Sequence, residues 1–197
     1  AEQLLRDLRE LEPSGVRGIS YPGYKRDAAA EEAAEPLSPA AGSSFPALSA
    51  RANYLSMDRP DLGFAAKECC RRMSAPLTTD WSALVRLIRY LVVRPRCVYS
   101  FPWQDEGATR RTFVDADFAG CLRTRRSTCG GVCMRGGHAV KHWSTTQKTI
   151  ALSSGEAELA GIVKGAVEGL GLIIKRAFLH RVDGGREVFD RAQQDHW

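Results

Sequence analysis

The sequence predicts an α/β fold in its C-terminal half, built from short strands followed by one long helix. Three observations support this prediction. Residues 110–115 are rich in β-branched and aromatic side chains and lead to acidic residues before a glycine. The stretches 128–134 and 139–143 flank the turn sequence Arg-Gly-Gly-His, which is typical of a hairpin. From Ser154 onward, apolar residues recur with the period of an α-helix.

Two further strands complete the predicted layout. The segment 97–103 is predicted to be the first strand, separated from 110–115 by a turn at 104–108. We expect the long helix to end near His180, although Gly169 and Gly171 are positions where it could break. A parallel strand should follow, because an α/β domain covers its sheet with a helix and then returns to it.

The start of the long helix carries a capping box, Ser153-Ser154-Gly155-Glu156. In this motif the serine accepts a hydrogen bond from a free backbone N–H and the glutamate reaches back to the cap. Glycines recur at 161, 165 and 169, although each interior glycine costs roughly 1 kcal/mol against alanine. Their helical spacing therefore predicts close approach to another backbone. The predicted apolar face holds Leu159, Ile162, Val163, Ala166, Val167 and Leu170.

Acidic side chains stand at both ends of this strand-to-helix unit. Asp115 and Asp117 lie at the end of the predicted strand, on the same side of it, while Glu156 and Glu158 lie in the first turns of the helix. Carboxylate oxygens are hard ligands of the kind that divalent metal ions prefer. Because Glu156 belongs to the cap, Asp115, Asp117 and Glu158 are the candidate metal ligands. A pair of turn-forming aspartates near a glycine remains the alternative.

Several sequence blocks match one family in order and spacing. The first group is Phe113-Val114-Asp115-Ala116-Asp117-Phe118-Ala119-Gly120, Arg125-Arg126-Ser127-Thr128, Trp143-Ser144 and the run from Gln147 to Glu158. This group resembles the RNase H domain of copia-type retrotransposon polyproteins. The second group is Tyr54-Leu55, the run from Arg59 to Ala65, and Trp81 to Leu91. It resembles the segment after the reverse transcriptase fingers and palm in the same polyproteins. The resemblance covers about residues 46–175.

The resemblance implies an RNase H-like mixed sheet with a flanking helix, and Mg²⁺-dependent (or Mn²⁺-dependent) hydrolysis of RNA in RNA/DNA hybrids during reverse transcription. Asp115 matches the family's strand aspartate, which both metal ions share, and Glu158 matches its helix glutamate. The third acid has no clear counterpart, and Asp190 is the candidate at about the right separation. The fourth acid has none. We therefore expect an impaired nuclease, with an inactive nucleic-acid-binding or structural remnant as the alternative.

The distribution of charge suits a polyanionic partner. The net charge is +5, and residues 107–150 alone carry 8 basic and 2 acidic side chains, giving +6. A phosphate backbone would lie on such a surface, although a solvated basic face is the plain alternative. The implied partners are an RNA/DNA hybrid and the remainder of the reverse transcriptase polyprotein. The candidate contacts to nucleic acid are Arg125, Arg126, Ser127, Thr145, Gln147 and Lys148.

The cysteines offer a competing interpretation. Cys129, Cys133, His138 and His142 have a spacing that could bind Zn²⁺. Against it, the alternation along the predicted strand places both thiols on one face, where small apolar side chains pack. We favour reduced packing cysteines.

Three segments are predicted along the chain. Residues 1–45 form a short helix and a low-complexity linker that we expect to be disordered. Residues 46–95 form a helical segment like the C-terminal part of a reverse transcriptase. Within it, helices should begin near Asp58 and at Thr78 or Thr79, and end before Pro76 and Pro95. Residues 96–197 form the partial RNase H-like domain.

Two further expectations concern the cell. The longest apolar runs fall short of the ~20 residues that span a bilayer, so no membrane association is expected. The first residues lack the layout of a signal peptide. An intracellular protein is the expectation, with cytoplasm and nucleus not distinguished.

Overall fold

The computed structural model has mixed α/β architecture and describes residues 2–11, 17–24, 26–105 and 109–194. The helices are α1 (Glu2–Leu11), α2 (Ala28–Glu32), α3 (Pro39–Ser56), α4 (Gly63–Cys70), α5 (Thr78–Val93) and α6 (Ser154–Gln194). A 3-10 helix at Pro60–Leu62 precedes α4. The strands are β1 (Arg110–Ala116), β2 (Thr128–Arg135) and β3 (His138–Thr146).

Helices α1, α3, α4 and α5 bury a shared apolar core. Leu8 of α1, Phe45 of α3, Cys69 of α4 and Leu84 and Ile88 of α5 are all buried in it. Packing of such apolar faces against one another is the main source of helix stability in proteins.

The prediction of a disordered linker up to residue 45 is wrong for much of that segment, because α2 and the start of α3 lie within it. Helix α3 begins at Pro39, where proline is tolerated because the first N–H of a helix lacks an intrahelical partner. The Ser38 hydroxyl accepts a hydrogen bond from Ala41 N–H at 3.4 Å. Phe45 has no exposed surface. Low sequence complexity did not prevent order here because one aromatic side chain reaches the core.

Buried ion pairs fix the segment between α1 and α3. Arg26 Nη2 lies 2.7 Å from Asp80 Oδ1, and Arg26 also pairs with Glu31. Arg72 Nη2 lies 3.4 Å from Glu31 Oε2. The Asp80 carboxylate, which is fully buried, also accepts from Leu77 N–H at 2.9 Å. Asp80 thus caps α5, in place of the predicted Thr78 or Thr79.

Other predicted boundaries shift by a few residues. The helix expected from about Asp58 to Met73 is the 3-10 helix followed by α4, which ends at Cys70. Just before the 3-10 helix, the Arg59 N–H donates to the Ser56 carbonyl at 3.3 Å, and the Arg59 guanidinium pairs with Asp61 at 2.7 Å. Helix α5 ends at Val93, two residues before Pro95, as predicted.

The three strands form an antiparallel sheet in the order β1-β2-β3. Asp115 pairs with Gly130, and Val132 pairs with His142. The prediction of β1 and of the β2–β3 hairpin is confirmed. The strand predicted at 97–103 is wrong: these residues belong to no strand, and Trp103 is exposed.

Helix α6 crosses one face of the sheet and does not give way to another strand. It continues through Gly169 and Gly171 to Gln194, so the predicted end near His180 and the parallel strand after it are wrong. Among the described strands the sheet is antiparallel, not mixed. Part of the predicted turn, residues 106–108, lies outside the described residues.

Candidate functional site

The N-terminal half of α6 packs closely on β1 and β2 through its glycines. A Cβ placed on Gly161 would lie 3.6 Å from Ala116 Cβ and 3.7 Å from Cys129 Sγ. A Cβ on Gly165 would lie 2.4 Å from Val114 Cγ1. The glycine spacing thus correctly predicted a close approach. It brings the first turns of α6 to the end of β1, where the candidate acids lie.

Asp115 projects from the other face of the sheet. The residues of β1 that meet α6 are Thr112, Val114 and Ala116, and successive side chains of a strand point to opposite faces. Asp115 therefore lies on the far side, where it lines a cavity of about 640 Å³ between the sheet and the helical region. Asp115 and Glu158 approach the end of β1 from opposite faces.

Asp117 lies just after β1 and closes a turn. Its Oδ1 accepts from Thr128 N–H at 2.5 Å, and its own N–H donates to the Thr128 carbonyl at 3.0 Å. A Cβ on Gly120 would lie 2.2 Å from Asp117 Oδ2. A side chain at position 120 would therefore displace the Asp117 carboxylate. For Asp117, this geometry matches the alternative interpretation, a turn-forming aspartate.

Of the two glutamates in the first turns of α6, Glu156 forms the predicted capping box. Ser153 Oγ accepts from Glu156 N–H at 3.1 Å, and Glu156 Oε2 accepts from Leu152 N–H at 2.7 Å. Glu156 is therefore structural, as predicted. Glu158 is exposed, one turn before Gly161, at the end of β1.

The described acids do not form a metal centre of the expected kind. Within the described ranges, no three His, Cys, Asp or Glu side chains form a group that could hold a metal ion. Asp190 lies 32 residues beyond Glu158 in the same helix, and at 1.5 Å per residue that places the two about 48 Å apart. It therefore does not join Asp115 or Glu158. The donor set does not fit two Mg²⁺ ions, since Asp117 is occupied and Asp115 lies across the sheet.

Basic side chains cluster in the loop between β1 and β2 and in the segment just after β3. Arg123, Arg125, Arg126 and Lys148 are all exposed, and none forms an ion pair with another described residue. The tight turn that displays them is held by Arg125 N–H to the Cys121 carbonyl at 2.7 Å, with Arg125 at φ 55°. Gln147 N–H donates to the Ser127 carbonyl at 2.8 Å, which places Lys148 beside Arg126. We call these four residues the basic edge.

Two of the candidate contacts are buried. Ser127 has no exposed surface, and its Oγ accepts from Ala119 N–H at 3.0 Å. Gln147 Nε2 donates to the Ala157 carbonyl at 2.8 Å and lies 3.0 Å from Cys129 Sγ. A side chain enclosed in this way cannot reach a nucleic acid. Ser127 and Gln147 instead hold the turn and the start of α6 in place, and Thr145 is half-buried.

The zinc alternative does not fit the geometry. Cys129 and Cys133 are buried under α6, whereas the His142 ring contacts the Met57 carbonyl on the opposite face, with 3.2 Å between Nε2 and O. His138 Nε2 lies 2.8 Å from the Pro102 carbonyl. The cysteines are packing residues of one face, as predicted.

One polar cluster was missed by sequence reasoning. Arg71 Nη2 lies 2.9 Å from Cys121 Sγ. Burial raises the pKa of this thiol, but hydrogen bonds from Thr124 and from Arg71 outweigh it and lower the pKa to about 7. No sequence pattern joins residues 50 positions apart, so only the fold reveals this contact.

The curated proteins that this chain resembles include retrotransposon polyproteins, mitochondrial proteins and an effector protein. The chain is 31% identical over 127 residues to an uncharacterised mitochondrial protein of Arabidopsis thaliana, covering 64% of this chain and 52% of that protein. It is 34% identical to secreted RxLR effector protein 161 of Plasmopara viticola, covering 59% of this chain and 82% of that protein. It is 32% identical to the retrovirus-related Pol polyprotein from transposon RE2 of Arabidopsis thaliana, covering 58% of this chain and 8% of the polyprotein.

The chain thus spans about half the length of the mitochondrial relative and a small part of the polyprotein. No family model matches the chain, and no solved structure matches it. Among the described residues, the helices are all too short or too polar to cross a bilayer.

Proposed function

This chain belongs to the retrotransposon Pol-related proteins, and we propose that it is an inactive RNase H-like remnant that binds nucleic acid. An RNA/DNA hybrid is the proposed ligand, and the remainder of a reverse transcriptase polyprotein is the ancestral context. The observation that carries the proposal is the basic edge of Arg123, Arg125, Arg126 and Lys148.

The electrostatics of the basic edge favour a polyanion. Four exposed cations without carboxylate partners among the described residues keep their full attraction for phosphates. They lie on two adjacent segments, the turn at 121–126 and the residues just after β3, so a single phosphate backbone can contact both. Hydrogen bonds fix the turn, so little conformational freedom is lost on binding.

The arrangement of acids favours binding without cleavage. Two-metal hydrolysis needs ligands that bridge both ions, so that the attacking and the leaving oxygens are both stabilised. Here Asp117 accepts a backbone hydrogen bond, and Asp115 lies on the sheet face away from α6. Of the three candidate ligands Asp115, Asp117 and Glu158, Glu158 is the one on α6, and it is exposed.

Fluorescence anisotropy with a labelled RNA/DNA hybrid tests the binding proposal. Arg126→Glu should weaken affinity by about tenfold at low salt and reduce the salt dependence of log K by about one phosphate contact. Arg96→Glu is the matched control, because Arg96 is exposed and outside the basic edge. It should change affinity much less. Equal effects of both variants would contradict the basic edge as the interface.

A cleavage assay tests the absence of nuclease activity. The same hybrid, incubated with Mg²⁺ or Mn²⁺, should remain intact while it is bound. Metal-dependent cleavage that Asp115→Asn abolishes would overturn the proposed inactivity and restore the nuclease alternative. Anisotropy with duplex DNA and duplex RNA measures whether the hybrid is preferred, since contacts to the 2′-OH distinguish these ligands.

A further inference from the structure

A second group of basic side chains lies at the end of the sheet away from the basic edge. Arg110 of β1 pairs with Arg135 of β2, and Arg135 pairs with His138 of β3. Side chains of directly paired residues share one face of a sheet, so a row of basic residues crosses all three strands. Like charges directly opposite each other are destabilising. The row therefore carries a repulsion between Arg110 and Arg135 that an anion would relieve.

Helix α6 brings another arginine to this row. The helix packs on β1 through its glycines, and its predicted apolar residues, such as Leu159, are exposed. The glycine contacts move along β1 towards Arg110 as the helix proceeds, and a Cβ on Gly169 would lie 3.0 Å from Thr112 Oγ1. Two turns further on, Arg176 lines a cavity together with Arg110.

This cavity has the size and charge of an anion site. Its volume is about 490 Å³, within the range of about 300–1,000 Å³ that is common for small-molecule sites. Four arginines line it, and none of the described aspartates or glutamates does: Arg110, Arg111, Arg135 and Arg176. Within the described part of the chain, Arg110 and Arg111 form no ion pair. Their charge is therefore available to a bound anion.

Part of the cavity wall is apolar. It is formed by Phe101, Met134, Val140 and Leu172. Phe101 is 61% exposed and Val140 is 55% exposed. An exposed aromatic ring beside arginines can stack on a nucleobase, whereas an inorganic anion would leave this wall uncovered. The cavity thus suits a molecule that joins phosphate to a flat, weakly polar group.

Gln104 fixes the shape of this wall. Its Nε2 donates to the Arg135 carbonyl at 2.8 Å and lies 2.7 Å from His138 Nδ1. His138 Nε2 lies 2.8 Å from the Pro102 carbonyl, and the Phe101 ring meets the edge of the His138 ring with 5.2 Å between centroids. The wall is therefore ordered before binding, which lowers the entropic cost of binding. Both nitrogens of His138 are occupied, so the arginines are left to bind the anion.

We propose that this cavity binds a nucleoside phosphate, with its phosphates on the arginines and its base against Phe101. Guanidinium groups bind phosphate oxygens in a bidentate manner. The cavity lies at the start of β1 and the basic edge follows its end, and the seven residues of that strand span roughly 20 Å. The two sites are therefore distinct. A free nucleotide and the end of a nucleic-acid strand share the required chemistry.

Isothermal titration calorimetry of the full chain, freed of nucleic acid and without divalent metal ions, tests the proposal. The probes are ATP, inorganic triphosphate and adenosine. ATP should bind in a one-to-one ratio and about tenfold tighter than triphosphate, because its base adds the contact with Phe101. Adenosine should show no binding. Equal affinities for ATP and triphosphate would overturn the nucleoside phosphate as the ligand.

Two variants that each remove one positive charge locate the site. Arg110→Gln should weaken ATP binding by about tenfold, and it should not unfold the protein, because it removes the repulsion with Arg135. Arg126→Gln, in the basic edge, is the matched control and should leave ATP binding unchanged while it weakens hybrid binding. Equal weakening of ATP binding by both variants would overturn the cavity as the site, since the effect would then follow net charge.

A third variant tests the apolar wall. Phe101→Leu should reduce the affinity for ATP to nearly that for triphosphate and leave triphosphate binding unchanged, because only the base loses its stacking partner. Phe101 is largely exposed, so this change should not affect folding. An unchanged affinity for ATP would contradict the assigned position of the base.

A hybrid with a 5′-triphosphate end, compared with the same hybrid with a 5′-hydroxyl end, separates the two sources of the ligand. Tighter binding of the triphosphate end that Arg110→Gln abolishes would assign the cavity to a strand end. ATP binding without this preference would assign it to a free nucleotide. Absence of both would overturn the proposal. Hybrid binding by the basic edge is measured separately with Arg126→Gln and does not depend on these outcomes.

Discussion

The Asp117 carboxylate is bound to the backbone N–H of Thr128, with 2.5 Å between Oδ1 and N. The Asp117 N–H donates in turn to the Thr128 carbonyl at 3.0 Å. The two residues therefore close the turn between β1 and β2 from both sides. The Asp117 carboxylate therefore stabilises the turn, and the oxygen that accepts this hydrogen bond is not free to bind a metal ion.

Substitution of Asp117 should affect stability through this hydrogen bond. Asp117→Ala should lower the free energy of unfolding by about 1–2 kcal/mol, because Thr128 N–H loses its acceptor. Asp117→Asn retains an oxygen at the same position and should cost less than half as much. Urea denaturation of the three proteins measures this. Equal losses for both variants would show that the charge, and not the hydrogen bond, matters.

Alanine substitutions at two glycines of α6, Gly165 and Gly171, should change the stability of the protein in opposite directions. Gly165→Ala should destabilise the protein by about 1–3 kcal/mol, because the new Cβ would lie 2.4 Å from Val114 Cγ1. Gly171→Ala should stabilise it by up to about 1 kcal/mol, because nothing lies within 4 Å and alanine is the better helix former. Thermal unfolding followed by circular dichroism compares them. A gain in stability from Gly165→Ala would contradict the close packing.

Removal of the buried carboxylate at Asp80 should be far more damaging. Asp80→Ala leaves Arg26 and Arg72 without that partner and removes the cap of α5. The expected loss is about 3–5 kcal/mol. Asp58→Ala, at an exposed aspartate, should stay within about 0.5 kcal/mol of wild type. Guanidinium denaturation provides the measurement, and a mild effect of Asp80→Ala would mean that the ion pairs contribute little.

Cys121 should make stability depend on pH. Its folded pKa of about 7 lies below the ordinary value of 9.0, so the unfolded chain binds the proton more tightly. The stabilisation by the thiolate is therefore fully present above pH 9 and is lost as the pH falls through 7. The stability of wild type relative to Cys121→Ser should rise by about 1–2 kcal/mol between pH 7 and pH 9. A difference that does not change with pH would contradict the contact with Arg71.

Much of the local structure followed from local patterns. The β-branched and aromatic residues of 110–115, the Arg-Gly-Gly-His turn and the capping box at Ser153 are patterns of residues close in sequence, and the structure they predicted is observed. The glycine spacing of α6 also predicted the correct contact, since a helix displays such residues on one side.

The errors concern segments whose structure depends on distant partners. Residues 97–103 have strand-forming side chains, but a strand requires a neighbour to pair with. Residues 39–46 resemble a linker, yet Phe45 reaches a core formed by other helices. Ser127 and Gln147 look like surface polar residues, but both are buried and hydrogen-bond to residues 8 and 10 positions away, in other segments of the fold.

By itself, the sequence determined the elements around the candidate site, the retroelement relationship and the concentration of positive charge. The tertiary structure alone decided which acids meet, which polar side chains are buried and which face of α6 stays exposed. The physical reason is that helix caps, turns and periodicity are set by neighbours a few residues apart. The face from which Asp115 projects, and the use of glycines instead of leucines against the sheet, are set by packing between distant segments.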